Sequence, residues 1–190
     1  MTTTKHGIVL GFLFISTMLF CIPLFASTSA TSLHEQSTKE LPLDQPNLKT
    51  EDLIRWATEA VEATLTYSFD DYQSRMQNAE KYYTAKGWSI WVEALDASGN
   101  IKSALLRKLK IIAKVVGTEN DTKVTPQGTL DGAYVWKVEL PVLVTYQEPP
   151  YDKSSSVPNA LMVTVIIQRQ PLQQGYKGLA ILMIEVNQIH

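Results

Sequence analysis

The chain has 190 residues, 45% of them hydrophobic, with a net charge of -2 and a pI near 5.9. That length suits one domain of ordinary size plus a leader, and the acidic balance argues against a nucleic-acid partner, which a basic excess would attract. The single cysteine, Cys21, lies in an apolar leader; the three histidines stand before the leader (His6), in a linker (His34) and at the last residue (His190). This leaves no residues for ordinary zinc or transition-metal sites, or for Ser-His and Cys-His nucleophile pairs, inside the domain, and no cofactor is expected.

Residues 1–30 read as an export segment. Lys5 precedes an uncharged run from Gly7 to Ala26, which gives way to small polar residues. A positive start, an apolar stretch and small residues beyond it describe a secretory signal, with Ala26 and Ala30 as cleavage candidates. The run is also long enough to serve as a retained membrane anchor. Residues 31–49 are polar, include Pro42 and Pro46, show no sustained period and read as a linker. The domain is expected over residues 50–190.

Its first half has helical spacing. Thr50 reads as an N-cap, followed by Glu51 and Asp52 in the first turn, and Leu53, Trp56, Ala57, Ala60, Val61, Thr64 and Leu65 recur on one face. Asp70 and Asp71 open a second helix, for which Gly87 reads as the stop. Trp88, Trp91, Val92 and Leu95 suggest a third, ended by Ser98-Gly99-Asn100.

Beyond residue 105 the period changes to two. Leu109 to Val115 reads as a half-exposed strand, Gly117 to Gly132 as a turn-rich region with a short strand around Val124, and Glu148 to Pro158 as a loop. Between them Tyr134, Trp136, Val138, Leu140, Val142, Val144 and Tyr146 alternate without a miss, the mark of one long strand with one face on a core. Pro141 should make that strand bulge or lie at an edge, since proline donates no ladder bond. Leu161 to Arg169 and Gly178 to Asn187 complete about four antiparallel strands. Three helices followed by strands, without βαβ alternation, define an α+β domain whose helices cover one face of a curved sheet.

Few side chains suggest chemistry. Asp70-Asp71 reads as a capping pair. Glu185, set in Ile181-Leu182-Met183-Ile184-Glu185-Val186, is a candidate base if it points into a cavity, and Asp131 is a second. Trp56, Trp88, Trp91 and Trp136 read as core residues or as a stacking platform for a ligand or glycan. Lys102, Arg107, Lys108, Lys110 and Lys114 form a basic cluster, read as a solvated face or an interaction surface. Asn120-Asp121-Thr122 matches a glycosylation acceptor triplet.

An ordered set of residues resembles the DotI/IcmL family of type IVB (Dot/Icm) secretion proteins, related to conjugal transfer proteins. It runs through Tyr83-Thr84, Gly87-Trp88, Trp91, Leu95 and Ser98-Gly99. It continues with Gly132, Tyr134, Trp136, Val138 and Pro141 to Tyr146, then Val163-Thr164-Val165, Arg169 and Lys177 to Ile181. The resemblance spans about residues 50–189 and implies a cone-shaped, nuclear-transport-factor-like periplasmic domain. It further implies a non-catalytic assembly part whose partners are other secretion-system subunits and copies of itself. The inner membrane enters only if the leader is retained; a cut leader implies a soluble periplasmic subunit. The alternatives from the residues are a cavity enzyme, an isomerase or hydrolase with Glu185 or Asp131 as base, and a small-ligand binder of the same fold.

Overall fold

A computed structural model describes residues 41–189; the leader, with Ala26 and Ala30, lies outside them. Four helices, α1 (Thr50–Leu65), α2 (Tyr72–Glu80), α3 (Ala85–Ala97) and α4 (Asn100–Arg107), pack on a curled antiparallel sheet. Its strands are β1 (Tyr67–Ser68), β2 (Lys110–Val115), β3 (Lys123–Leu130), β4 (Ala133–Gln147), β5 (Ser156–Arg169) and β6 (Leu179–Gln188). The order is β1-β2-β4-β5-β6, with β3 also paired to β4. The α+β fold is as read from the pattern, with four helices where three were expected and six strands where about four were, the two-residue β1 and an eight-residue β3 making the difference.

The long aromatic alternation is β4. Trp136, Val138, Leu140, Val142 and Val144 enter the core with Leu53, Trp56, Ala57, Ala60 and Val61 of α1. Opposite them across the ladder stand Ile167, Val165, Val163, Leu161 and Asn159 of β5, and the first four are also buried. One strand of apolar alternation, one apolar helix stripe and a second alternating strand thus meet face to face, which is what burying each of them requires.

Pro141 does not bulge; it lies at a local edge on the side away from β5, where neither β2 nor β3 pairs with it. Its carbonyl accepts from the Val116 N–H at 2.9 Å, so its backbone groups point away from β5. On that side β2 pairs with Val142 to Gln147 and β3 pairs with Ala133 to Glu139. The missing N–H faces the gap between two strands, and the ladder to β5 loses nothing.

Two corrections concern helix ends. Lys49, not Thr50, occupies the N-cap of α1, without a side-chain cap bond. Gly87 stops no helix: it lies inside α3, whose N-cap is Thr84, the hydroxyl oxygen accepting from the Gly87 N–H at 3.1 Å. The need for glycine is steric, because a Cβ there would meet the Ile181 carbonyl oxygen at 2.5 Å and that of Leu182 at 2.9 Å. Ser98-Gly99-Asn100 does end α3, and Gly99, at φ 69°, is at once the N-cap position of α4.

The stretch 41–49 lies on the domain. The Arg169 guanidinium, 2% exposed, donates to the carbonyls of Pro42, of Gln45 at 2.9 Å and of Leu41 at 3.1 Å. The Tyr134 N–H donates to the Leu43 carbonyl at 2.7 Å. A buried guanidinium needs several acceptors, and here backbone carbonyls supply them.

Gly87→Ala is expected to lower stability by about 1–3 kcal/mol, the usual range for overpacking against atoms that cannot move aside. Denaturant unfolding of the variant beside the wild type measures it, and an unchanged midpoint would mean that α3 can shift off β6 without cost.

Candidate functional site

The curl of the sheet leaves a cavity of about 330 Å³ between its inner face and α3. Leu65, Tyr67, Ile111, Val144, Tyr146 and Leu161 form one wall, Ile184 and Val186 of β6 a second, and Ile90, Trp91, Ala94 and Leu95 of α3 the third. None of its lining residues carries a charge. Its polar atoms are few: those of Ser98 and Asn100, the Trp91 indole Nε1, which is buried, and the Tyr67 and Tyr146 hydroxyls; neither that indole nor either hydroxyl has a hydrogen-bond partner among the described residues. Burial, with Tyr146 alongside, pushes the Tyr67 phenol up to about 12, and burial also raises that of Tyr146. Both therefore stay neutral and can donate a hydrogen bond to an uncharged acceptor.

One side of the cavity is the open edge of the sheet. The Ile189 N–H donates to the Ala160 carbonyl at 3.3 Å, which sets the phase of the β5–β6 ladder. Residues 185 and 187 then turn their backbone groups toward β5, and Ile184, Val186 and Gln188 turn theirs outward. Side chains follow the same alternation: Ile184 and Val186 stand opposite Val165 and Val163 on the inner face. At the start of β6 the outward groups are taken. The Ile181 N–H donates to the Tyr82 carbonyl at 2.7 Å and the Thr84 N–H to the Ile181 carbonyl at 3.0 Å. Past the bulge that leaves Leu182 unmatched, no backbone partner reaches that edge among the described residues.

The candidate bases do not meet in the cavity. Glu185 stands opposite Thr164 on the outer face and is exposed. Asp131 is exposed in the turn between β3 and β4, at φ 51°. Among the described residues no cluster of His, Cys, Asp and Glu could hold a metal ion. Trp56 and Trp136 are core residues at 4% exposure, and Trp88 and Trp91 are half-buried, so the four do not form a platform. The basic cluster is largely engaged: Arg107 pairs with Glu148, Lys114 with Glu62 at 2.8 Å, and Lys110 sits 4.3 Å from the Tyr151 ring centre. Tyr67 was not legible as a site residue, because a two-residue strand carries no period.

A second polar group joins α1 to the lead-in of β6. The Glu59 carboxylate accepts from the Tyr82 hydroxyl at 2.8 Å, the Tyr176 hydroxyl at 3.2 Å and the Lys177 ammonium at 3.0 Å. These bonds, that of Tyr82 foremost, hold its carboxyl below the usual glutamate range. The Trp56 indole N–H donates to the Tyr176 carbonyl at 3.0 Å, and the Tyr82 and Tyr176 rings meet edge to face at 5.0 Å. All the donors are matched, so this group reads as a structural clasp.

Helices over the inner face of a curled antiparallel sheet form the nuclear-transport-factor-like fold shared with VirB8- and DotI-type domains. The chain belongs to the DotI/IcmL family, described as type IVB secretion system inner-membrane complex components, whose model it matches over residues 25–187. It is similar to the periplasmic domain of DotI, with 28% identity and a TM-score of 0.68 over 76% of this chain and 99% of that one. An IcmL-like type IV secretion protein of Legionella pneumophila is 24% identical, with a TM-score of 0.65 over 76% and 96%. A periplasmic fragment of TraM shares the fold at 18% identity and a TM-score of 0.62 over 75% and 100%. Comparison with curated proteins finds no match. No helix among the described residues is long and apolar enough to cross a membrane.

The clasp makes stability pH-dependent. A carboxylate whose folded pKa is depressed adds stability above its unfolded value and loses it as pH falls through the folded one. Glu59→Gln should therefore melt below the wild type at neutral pH, and the gap should close as pH falls beneath the ordinary glutamate value of 4.5. Melting curves across pH measure this; a gap independent of pH would assign the effect to packing alone.

Proposed function

We propose that this chain is a non-catalytic periplasmic subunit of a type IVB secretion apparatus, acting through contacts with other subunits. The observation that carries the reading is the family match over residues 25–187 together with a cavity whose lining holds no charged side chain. Proton transfer needs a titratable group within reach of the reacting atoms. Glu185 and Asp131, the two carboxylates an enzyme of this fold would have used, are both exposed outside the cavity. The similarity to the periplasmic domain of DotI, at 28% identity, supports the compartment.

In this reading residues 1–30 direct export and are cut at Ala26 or Ala30, residues 31–49 lead from there to the working domain of residues 50–190, and residues 41–49 are bound to that domain's surface. Mass spectrometry of the mature N-terminus should find it at one of those two positions; an intact leader would make the chain a membrane-anchored subunit instead. The assembly role is tested by pull-down of the tagged full-length chain from crosslinked envelopes. Secretion-system subunits should be recovered, and recovery of none would overturn the assignment.

A further inference from the structure

We infer that the outer edge of β6 from Ile184 to Gln188, with the cavity beside it, is the docking site for an extended segment of another subunit. That segment pairs with β6 as an added strand and is uncharged and apolar on its cavity-facing side. The inference rests on the assembly reading and names where, and to what chemistry, the contact is made.

The three open sides of this sheet are treated differently. Along β2, beyond the two residues covered by β1, the side chains of α1 and its C-cap residue close the edge: the Ala113 N–H donates to the Thr66 hydroxyl oxygen at 3.0 Å and the Val115 N–H to Glu62 at 3.1 Å. Along β3, Pro126 removes a donor, a register shift follows it, and Lys123 stands exposed. These are the ordinary devices against unwanted strand pairing. The run from Met183 to Gln188 has none of them: no proline, no lysine or arginine, one charge at Glu185, and its bulge lies before the run begins.

The same edge already accepts a strand one step earlier. Tyr83 makes a parallel bridge with Ile181, and residues 82–84 supply both backbone bonds before turning into α3. An incoming segment would continue that pairing on the outward groups of Ile184, Val186 and Gln188. Its alternate side chains would fall on the inner side, over the cavity between Val186 and the Ile90, Trp91 and Ala94 wall. Burying a charge there would go unpaired, which selects an apolar, neutral face. Its other side chains would lie beside exposed Glu185 and Asn187, where polar or basic residues fit. Main-chain bonds give such an interface affinity and the pocket gives it specificity. A second copy pairing through β6 would bring Ile184 and Val186, which already line its own cavity and would leave this one unfilled.

Val186→Pro tests the edge. The Val186 N–H points outward, so proline breaks no bond to β5 while its ring blocks an approaching strand. Ala94→Trp tests the cavity independently by filling it from α3. Each variant is made in the full-length tagged chain and taken through the envelope pull-down, with melting temperature as the check on folding. Recovery of at least one subunit should fall about tenfold for both variants, the equivalent of losing about 1.4 kcal/mol. A photo-crosslinking residue at position 188 should attach to a segment of that subunit with alternate uncharged apolar residues. Undiminished recovery with both folded variants, or crosslinks to a second copy alone, would overturn the inference while leaving the assembly reading standing. Recovery of no subunit by the wild-type chain would overturn the assembly reading, and this inference with it.

Discussion

The pairing of β4 with β5 is unbroken over thirteen positions, from Val135 opposite Gln168 to Gln147 opposite Ser156, and the rest of the domain hangs on it. A ladder that long holds two alternating apolar faces in register, since a slip of one residue would turn the core side of either strand to water. On its other side β4 is shared by β2 and β3 in succession, with the changeover at Pro141. Two short strands on one side of a long one let the sheet curl, and the apolar stripe of α1 joins the core inside it. Where α3 crosses instead, it rests on β6 through Gly87 and leaves the cavity open behind it.

The polar groups of the domain are sorted accordingly. Glu59, Tyr82, Tyr176 and Lys177 satisfy one another where α1 meets the approach to β6. Deeper in, the Thr64 hydroxyl donates to the Ala60 carbonyl at 2.7 Å and accepts from the Tyr83 hydroxyl at 3.1 Å. These bonds pair the polar side chains between α1 and the approach to β6, and the cavity is left with neutral polar groups, the Trp91 indole among them, in mostly apolar walls. Such a surface suits recognition by shape and main-chain pairing better than it suits acid–base chemistry.

Much of this was legible in the sequence, and the misses have physical reasons. The alternation from Tyr134 to Tyr146 lies within β4, because a half-buried strand must alternate. The fourth helix was missed because Ser98-Gly99-Asn100 reads as a terminator, whereas Gly99 in the left-handed region both closes α3 and opens α4. Pro158 made the start of β5 look like loop; its backbone faces the side that β6 does not reach, so no donor is missed there. Gly87 was read as a helix stop because glycine's freedom at positive φ is a local property, while its real use, contact with the Ile181 and Leu182 carbonyls, spans more than ninety residues of chain. The cavity was out of reach for the same reason: α1, α3, α4 and five strands all contribute to it, so no run of sequence carries its signature.

Arg169 has a mechanical consequence. It fastens the carbonyls of Leu41, Pro42 and Gln45 to β5, while Tyr134 fastens Leu43 to β4. Tension arriving along the chain from its N-terminal side is therefore taken up at the two longest strands before it reaches α1. Load applied there is spread along a ladder of thirteen pairs, while the helix that closes the core stays unstrained.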